Sequence, residues 1–139
     1  MYRGVGNAML LQEARYVPVH VRWTMMDEAA HGDPQRLREY MNGCVEEARK
    51  GAVMVSPFIS AYEKQVMAVL RKEKRPFILL ADNGFRDYYK PAEGLFNAVA
   101  EGLVLILSPW EYDPQKRKVS RDECKQMNKM AEEICNVPE

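Results

Sequence analysis

Ser56 and Ser60 flank Pro57-Phe58-Ile59 at a point where an apolar run gives way to a helical pattern. That combination suits an anion. Free backbone N–H groups at a helix N-terminus and two hydroxyls converge on one place, and phosphate is the commonest occupant of such a pocket. Two further apolar runs open into small polar residues, Asp82-Asn83-Gly84 and Ser108-Pro109-Trp110, and a fourth opens into Arg22-Trp23-Thr24. Arg121 stands in the first turn of the last helical pattern, where a cation is electrostatically out of place, which favours a role in meeting an anion. The candidate phosphate or nucleotide ligands are therefore Arg22, Ser56, Ser60, Asn83, Gly84, Ser108 and Arg121. A second chemistry comes from Trp110 with Lys116, Arg117 and Lys118, because cations beside a stacking surface are what single-stranded nucleic acid requires.

Each of these has a structural alternative. Ser60-Ala61-Tyr62-Glu63 is a capping box, and Asn83-Gly84 is a turn. The loop cations, and a second basic group of Arg71, Lys72, Lys74 and Arg75, suit solvated surface. Other chemistries are poorly supplied. His20 and His31 have no partner at metal-ligand spacing and read as structural, and two histidines do not assemble a catalytic triad. Gly4-Val5-Gly6-Asn7 follows no strand and lacks a third glycine, so it is not a dinucleotide loop. No catalytic residue, metal or cofactor is implied.

The elements that must position these residues are legible in outline. Four β-rich runs, 16–23, 52–55, 77–81 and 103–107, alternate with helical patterns. The last three are continuously apolar, as strands covered on both faces are, while Pro18 marks the first as a strand start or an edge. Asp33-Pro34 opens a helix whose apolar face is Leu37, Met41, Cys44, Val45 and Ala48, with Gly51 as its stop. Ser60 opens the next, over Val66, Val69 and Leu70. A shorter helix covers about 92–101. The last begins with a second capping box, Ser120-Arg121-Asp122-Glu123, and runs to about Cys135 with Cys124, Met127, Met130, Ala131 and Ile134 inward. This β-α-β-α-β-α-β-α order specifies a three-layer α/β fold, a parallel sheet of about four strands with helices on both faces. In such sheets ligands bind beyond the carboxyl ends of the strands, where all the candidates above fall.

At 139 residues the chain fits one domain, 1–139. Lysine plus arginine number 20 against 20 acidic residues, so no strong overall field points to nucleic acid, an anionic membrane or an acidic substrate. Three cysteines, Cys44, Cys124 and Cys135, without CxxC spacing, read as core residues of a reducing compartment. With no apolar run long enough for a membrane span and no signal-peptide pattern, the expectation is a cytoplasmic protein.

The segment Val53-Met54-Val55-Ser56-Pro57-Phe58-Ile59-Ser60-Ala61-Tyr62-Glu63-Lys64-Gln65-Val66 resembles the Ser-Gly-Phe-His-Ser-x-x-Glu-Lys-x-Val segment of small DNA-processing-protein-A-like (Smf/DprA-like) proteins. Lys74-Arg75-Pro76 and the strand leading to Ala81-Asp82-Asn83-Gly84 are similar to that group's Lys-x-Pro-strand-Ala-Arg-Gly segment. Leu105-Ile106-Leu107-Ser108-Pro109-Trp110 resembles its Ile-Ile-Ser-Pro-Phe element. Val119-Ser120-Arg121 with Asn128 resembles Ala-Ser-Arg…Arg-Asn, and Gly6-Asn7-Ala8-Met9-Leu10-Leu11 resembles Gly-Asn-Pro-x-Leu-Leu. The order is right across most of the chain. The resemblance implies a Rossmann-like fold of the superfamily (SLOG) that includes the lonely-guy enzymes and nucleotide-derivative sensors. It also implies non-catalytic binding of single-stranded DNA or a nucleotide at these loops, and a homodimer. The chain departs from the pattern at Pro57 (glycine in the family), at Ile59 (histidine) and at Asp82-Asn83 (Ala-Arg). Those departures open an alternative, a structural or partner-binding member that has lost its ligand. A third, nucleotide N-glycosidic hydrolysis of lonely-guy type, would need Glu63 as its carboxylate, without that group's glycine run.

Overall fold

Strands as short and as continuously apolar as Val53–Ser56 and Phe77–Leu80 need cover on both faces. In the computed structural model, which describes residues 3–12, 15–86, 89–116 and 118–136, they have it. The elements are β1 (Arg3–Gly6), a 3-10 turn (Ala8–Gln12), β2 (Tyr16–Pro18), α1 (Trp23–Ala30), α2 (Gln35–Arg49) and β3 (Val53–Ser56). They continue through α3 (Ala61–Lys72), β4 (Phe77–Leu80), α4 (Glu93–Ala100), β5 (Val104–Ser108) and α5 (Arg121–Cys135). One sheet runs in the order β1-β5-β4-β3-β2. Strands β2 to β5 are parallel, and β1 is antiparallel to β5.

This is the expected α/β fold, a Rossmann-like three-layer arrangement, with two corrections. The sheet has five strands rather than about four, because 3–6 pairs with β5. A Gly-Val-Gly core carries no strand signature, yet the pairing demands it: a Cβ on Gly6, at φ +114, would lie 2.2 Å from the Val104 carbonyl oxygen. The run 16–23 is also not one strand. It ends at Pro18, and Trp23 opens a helix. Val21, Met25 and Leu37 form a small apolar cluster of their own, which anchors α1 to α2.

Strand order explains how the layers are filled. The four parallel strands are sequence neighbours side by side, so right-handed crossovers all fall on one face. Accordingly α2, α3 and α4 share a core with Met54, Phe77, Val104 and Ile106. The alternate residues Val53, Val55, Ile78, Leu80, Leu105 and Leu107 point the other way and meet α5 through Met127, Met130, Ala131 and Ile134. Each fully buried side chain of this kind contributes about 2 kcal/mol of transfer free energy. Because the strand order never reverses, the parallel sheet lacks a topological switch point, the usual crevice of this fold class. A site must be sought at the loops or along α5. Among the described residues no helix is long and apolar enough to cross a membrane.

Candidate functional site

The loop between β3 and α3 is closed by its own side chains. Ser56 is fully buried; its Oγ donates to the Val19 carbonyl (2.6 Å) and accepts from the Phe58 N–H (2.9 Å). That bond holds Phe58 at φ 47, a left-handed conformation that a bulky residue adopts at a cost of order 1–3 kcal/mol. Its ring packs edge-on to Phe77 at 5.5 Å in compensation. Ser60 accepts from the Glu63 N–H, completing the capping box expected from the sequence. The Glu63 carboxylate, 3% exposed, goes further: Oε1 accepts from the N–H groups of Ile59 (2.9 Å) and Ser60 (3.2 Å), and Oε2 from that of Val21 (2.8 Å). The N-terminus of α3 thus holds an anion, and the anion is the protein's own. Glu63 also ties the chain after β2 to α3. Beside it, the Tyr40 hydroxyl accepts from the His20 N–H (2.8 Å) and donates to the Pro18 carbonyl (3.4 Å), and burial raises its pKa.

The loops after β4 and β5 are closed in the same manner. Asn83 Nδ2 donates to the Asp113 carbonyl, while Oδ1 accepts from the N–H groups of Gly84 and Asp113. A Cβ on Gly84 would fall 2.4 Å from the Tyr112 nitrogen and 2.5 Å from the Trp110 oxygen, so only glycine lets these two loops touch. Ser108 is fully buried and its Oγ accepts from the Trp110 N–H. Lys116 donates to the Asp82 carbonyl, pairs with Glu123, and lies 5.2 Å from the centre of the Trp110 ring. Asp82, foreign to a phosphate pocket, thereby serves to hold a lysine. The Lys116 ammonium, followed by the Ser120 N–H, lowers the Glu123 carboxyl below its ordinary range. Lys118 is exposed, and Arg117 lies outside the described residues. Trp110 is half-buried against the α5 face of the core.

A third region differs. The chain leaving β2 and the first three turns of α5 enclose a groove of about 490 Å³, lined by His20, Trp23, Arg121, Lys125, Asn128 and Lys129 among others. Arg121, Lys125 and Lys129 recur every four residues, so they form a ridge with a cation about every 6 Å along the helix axis. None of the three side chains has an ion-pair or hydrogen-bond partner among the described residues. Opposite them stands Trp23, 69% exposed, the most exposed large hydrophobic side chain among the described residues. Its neighbour Arg22, the residue before α1, is likewise exposed and unpaired among the described residues. Glu132 is the acidic member of the lining. Cys124 also lines the groove, half-buried, not sunk in the core as its spacing suggests, and burial raises its thiol pKa. Asn128 sits on the same side, and its amide has no hydrogen bond among the described residues.

The structure therefore splits the sequence candidates into two sets. Ser56, Ser60, Asn83, Gly84, Ser108 and Lys116 have their polar groups engaged by hydrogen bonds inside the protein. Arg22 and Arg121 keep theirs free, and Arg121 alone of the seven ligand candidates lines the groove. Sequence reasoning missed Trp23, Lys125 and Lys129. The i, i+4, i+8 cation spacing was the available signal, obscured by a charge balance taken over the whole chain. Among the described residues no group of three His, Cys, Asp or Glu could hold a metal ion. No family model, no curated protein and no solved structure matches this chain.

Proposed function

We propose that this protein is a non-catalytic binding module for single-stranded nucleic acid, seated in the groove between the β2–α1 connection and α5. One observation carries the reading: three unpaired cations at helical spacing face a groove with an exposed tryptophan on its other side. Phosphates meet Arg121, Lys125 and Lys129, with Arg22 beside them, and a base stacks on Trp23. Stacking of this kind is worth about 1–3 kcal/mol per base and tolerates any sequence. The similarity to DprA-like proteins at Ser120-Arg121 and Asn128 points the same way. A mononucleotide shares the required chemistry, but a ridge three cations long suits a chain of phosphates better. The setting proposed is cytoplasmic.

A second reading, a fold that has lost its ligand and docks a partner protein, draws support from Glu63, which fills the anion site of α3. The same engagement argues against Glu63 as a glycosidic carboxylate, since both oxygens are held by backbone N–H groups.

The test is fluorescence anisotropy with a labelled single strand of about ten nucleotides across a salt series. Three phosphate contacts predict a log–log salt slope near −2, at about −0.7 per contact. The double variant Lys125→Ala/Lys129→Ala should lose roughly 1.4 of that slope. Absence of binding at low salt, by oligonucleotide and by mononucleotide alike, rules the reading out.

A further inference from the structure

The groove is electrically lopsided along α5. Its lining on that helix runs from Arg121 to Glu132, about 16 Å of helix axis. Arg121, Lys125 and Lys129 occupy the first part, and Glu132 stands at the far end. The ridge line changes sign there as well: four residues after Lys129 comes Glu133, exposed like Glu132. Neither carboxylate has a hydrogen-bond or ion-pair partner among the described residues. These charges run against the helix dipole. A cation stands in the first turn and two acids in the last, which holds no basic residue, whereas a helix favours the reverse. Asp122 and Glu123 do suit the dipole, but they do not line the groove, so the reversal belongs to the groove side. A phosphate chain laid on the ridge gains at each of three cations. About 4.5 Å further along the axis it meets Glu132. That lies well within the roughly 10 Å over which charges act in 0.1 M salt.

We infer that Glu132 ends the phosphate track, so that the groove takes three phosphates, the number in a tetranucleotide, and a longer strand leaves the surface after Lys129. Glu133 reinforces that end from the ridge itself. At the other end the ridge begins with the helix, at Arg121, and no earlier cation of α5 extends it. A fourth phosphate beside the two carboxylates is repelled, so lengthening the strand adds no contact. This inference rests on the proposed groove as the nucleic-acid site and adds to it a footprint and the residue that sets it.

The experiment compares oligo(dT) strands of two, four, six and ten nucleotides, equally labelled and without terminal phosphates, by anisotropy across a salt series. Wild-type affinity should climb steeply from two to four nucleotides and then level. By ten it should have gained at most about sevenfold, the number of four-nucleotide registers that a ten-mer offers. The log–log salt slope should be near −2 for the four-mer and the ten-mer alike, at about −0.7 per contact. Glu132→Lys suits a helix C-terminus better than the native acid, so folding is not at risk. It should steepen the ten-mer slope by about 0.7 and leave the four-mer slope unchanged. Glu39→Lys makes the same charge change on α2, which packs against the other face of the sheet, and should alter neither slope. A wild-type slope that keeps steepening between four and ten nucleotides overturns the footprint and leaves the groove standing. So does a ten-mer slope that Glu132→Lys leaves unchanged, or that Glu39→Lys steepens equally. No binding of any strand at low salt overturns the groove itself, a result distinct from the others.

Discussion

The β3–α3 loop and the α1–α5 groove lie at the same carboxyl-terminal edge of the sheet, and both carry the residue types that handle anions. They differ in what those residues have left to give. At the β3–α3 loop the Ser56 hydroxyl and both oxygens of Glu63 are consumed by Val19, Phe58, Ile59, Ser60 and Val21. In the groove three exposed cations, Arg121, Lys125 and Lys129, have no partner among the described residues. A helix N-terminus is a site only when its donors are unclaimed, and here the sequence supplies the claimant three residues later. Residue type marks where binding chemistry is possible; satisfaction of hydrogen bonds marks where it remains available.

The largest expected effect breaks the closed side of that contrast. Glu63→Ala strips an acceptor from three N–H groups at a buried position and should destabilise the fold by on the order of 3 kcal/mol, read from urea unfolding. It should also open the α3 N-terminus, so that inorganic phosphate raises the melting temperature of the variant and leaves the wild type unchanged. Phosphate stabilisation of the wild type at that loop would mean that Glu63 does not own the site.

Gly84→Ala comes next. Its Cβ would press on the backbone of Tyr112 and Trp110, and the two loops must part, for a loss of about 2 kcal/mol. Oligonucleotide affinity of the folded variant should stay unchanged, because the groove lies along α5. A parallel loss of binding would shift the site towards the Asn83-Gly84 turn.

How much of this could be read from the sequence depends on the range of the determining contact. The capping boxes at Ser60 and Ser120 were legible because their partners stand three residues away. Strands β3, β4 and β5 were legible because burial on both faces leaves continuous apolar runs. By contrast, β1 was not, since Arg3-Gly4-Val5-Gly6 becomes a strand only through β5, a hundred residues on. Nor was α1: Trp23 extends the apolar pattern of 16–22, and nothing local shows that the chain turns at Val19 to bond with Tyr40 and Glu63. The candidate site suffered the same limit. Arg121 was found by a local mismatch with its helix dipole. Trp23 and Lys125 share a groove only because α5 crosses the end of β2. Whether Ser56 is free is decided by Val19, far away in sequence.

The smallest effect concerns pH. The Lys116 ammonium and the Ser120 N–H hold the folded Glu123 carboxyl below its ordinary pKa. A group depressed on folding stabilises fully above its unfolded pKa of about 4.3 and loses that contribution as pH falls through the folded value. Glu123→Gln should therefore flatten part of the acid limb of stability below about pH 4, and leave the profile at pH 6 to 8 parallel to wild type. An unaltered acid limb would show that the Lys116–Glu123 pair, although closed, is too exposed to contribute.

The contrast itself is tested most directly by an amide-resolved NMR titration of the intact protein with a short single strand of about ten nucleotides. Binding in the groove predicts shift changes concentrated at residues 20–26 and along 121–132, with 56–60 and 82–84 nearly silent. Changes centred on 56–60 and 82–84, with the α5 face unmoved, would contradict it.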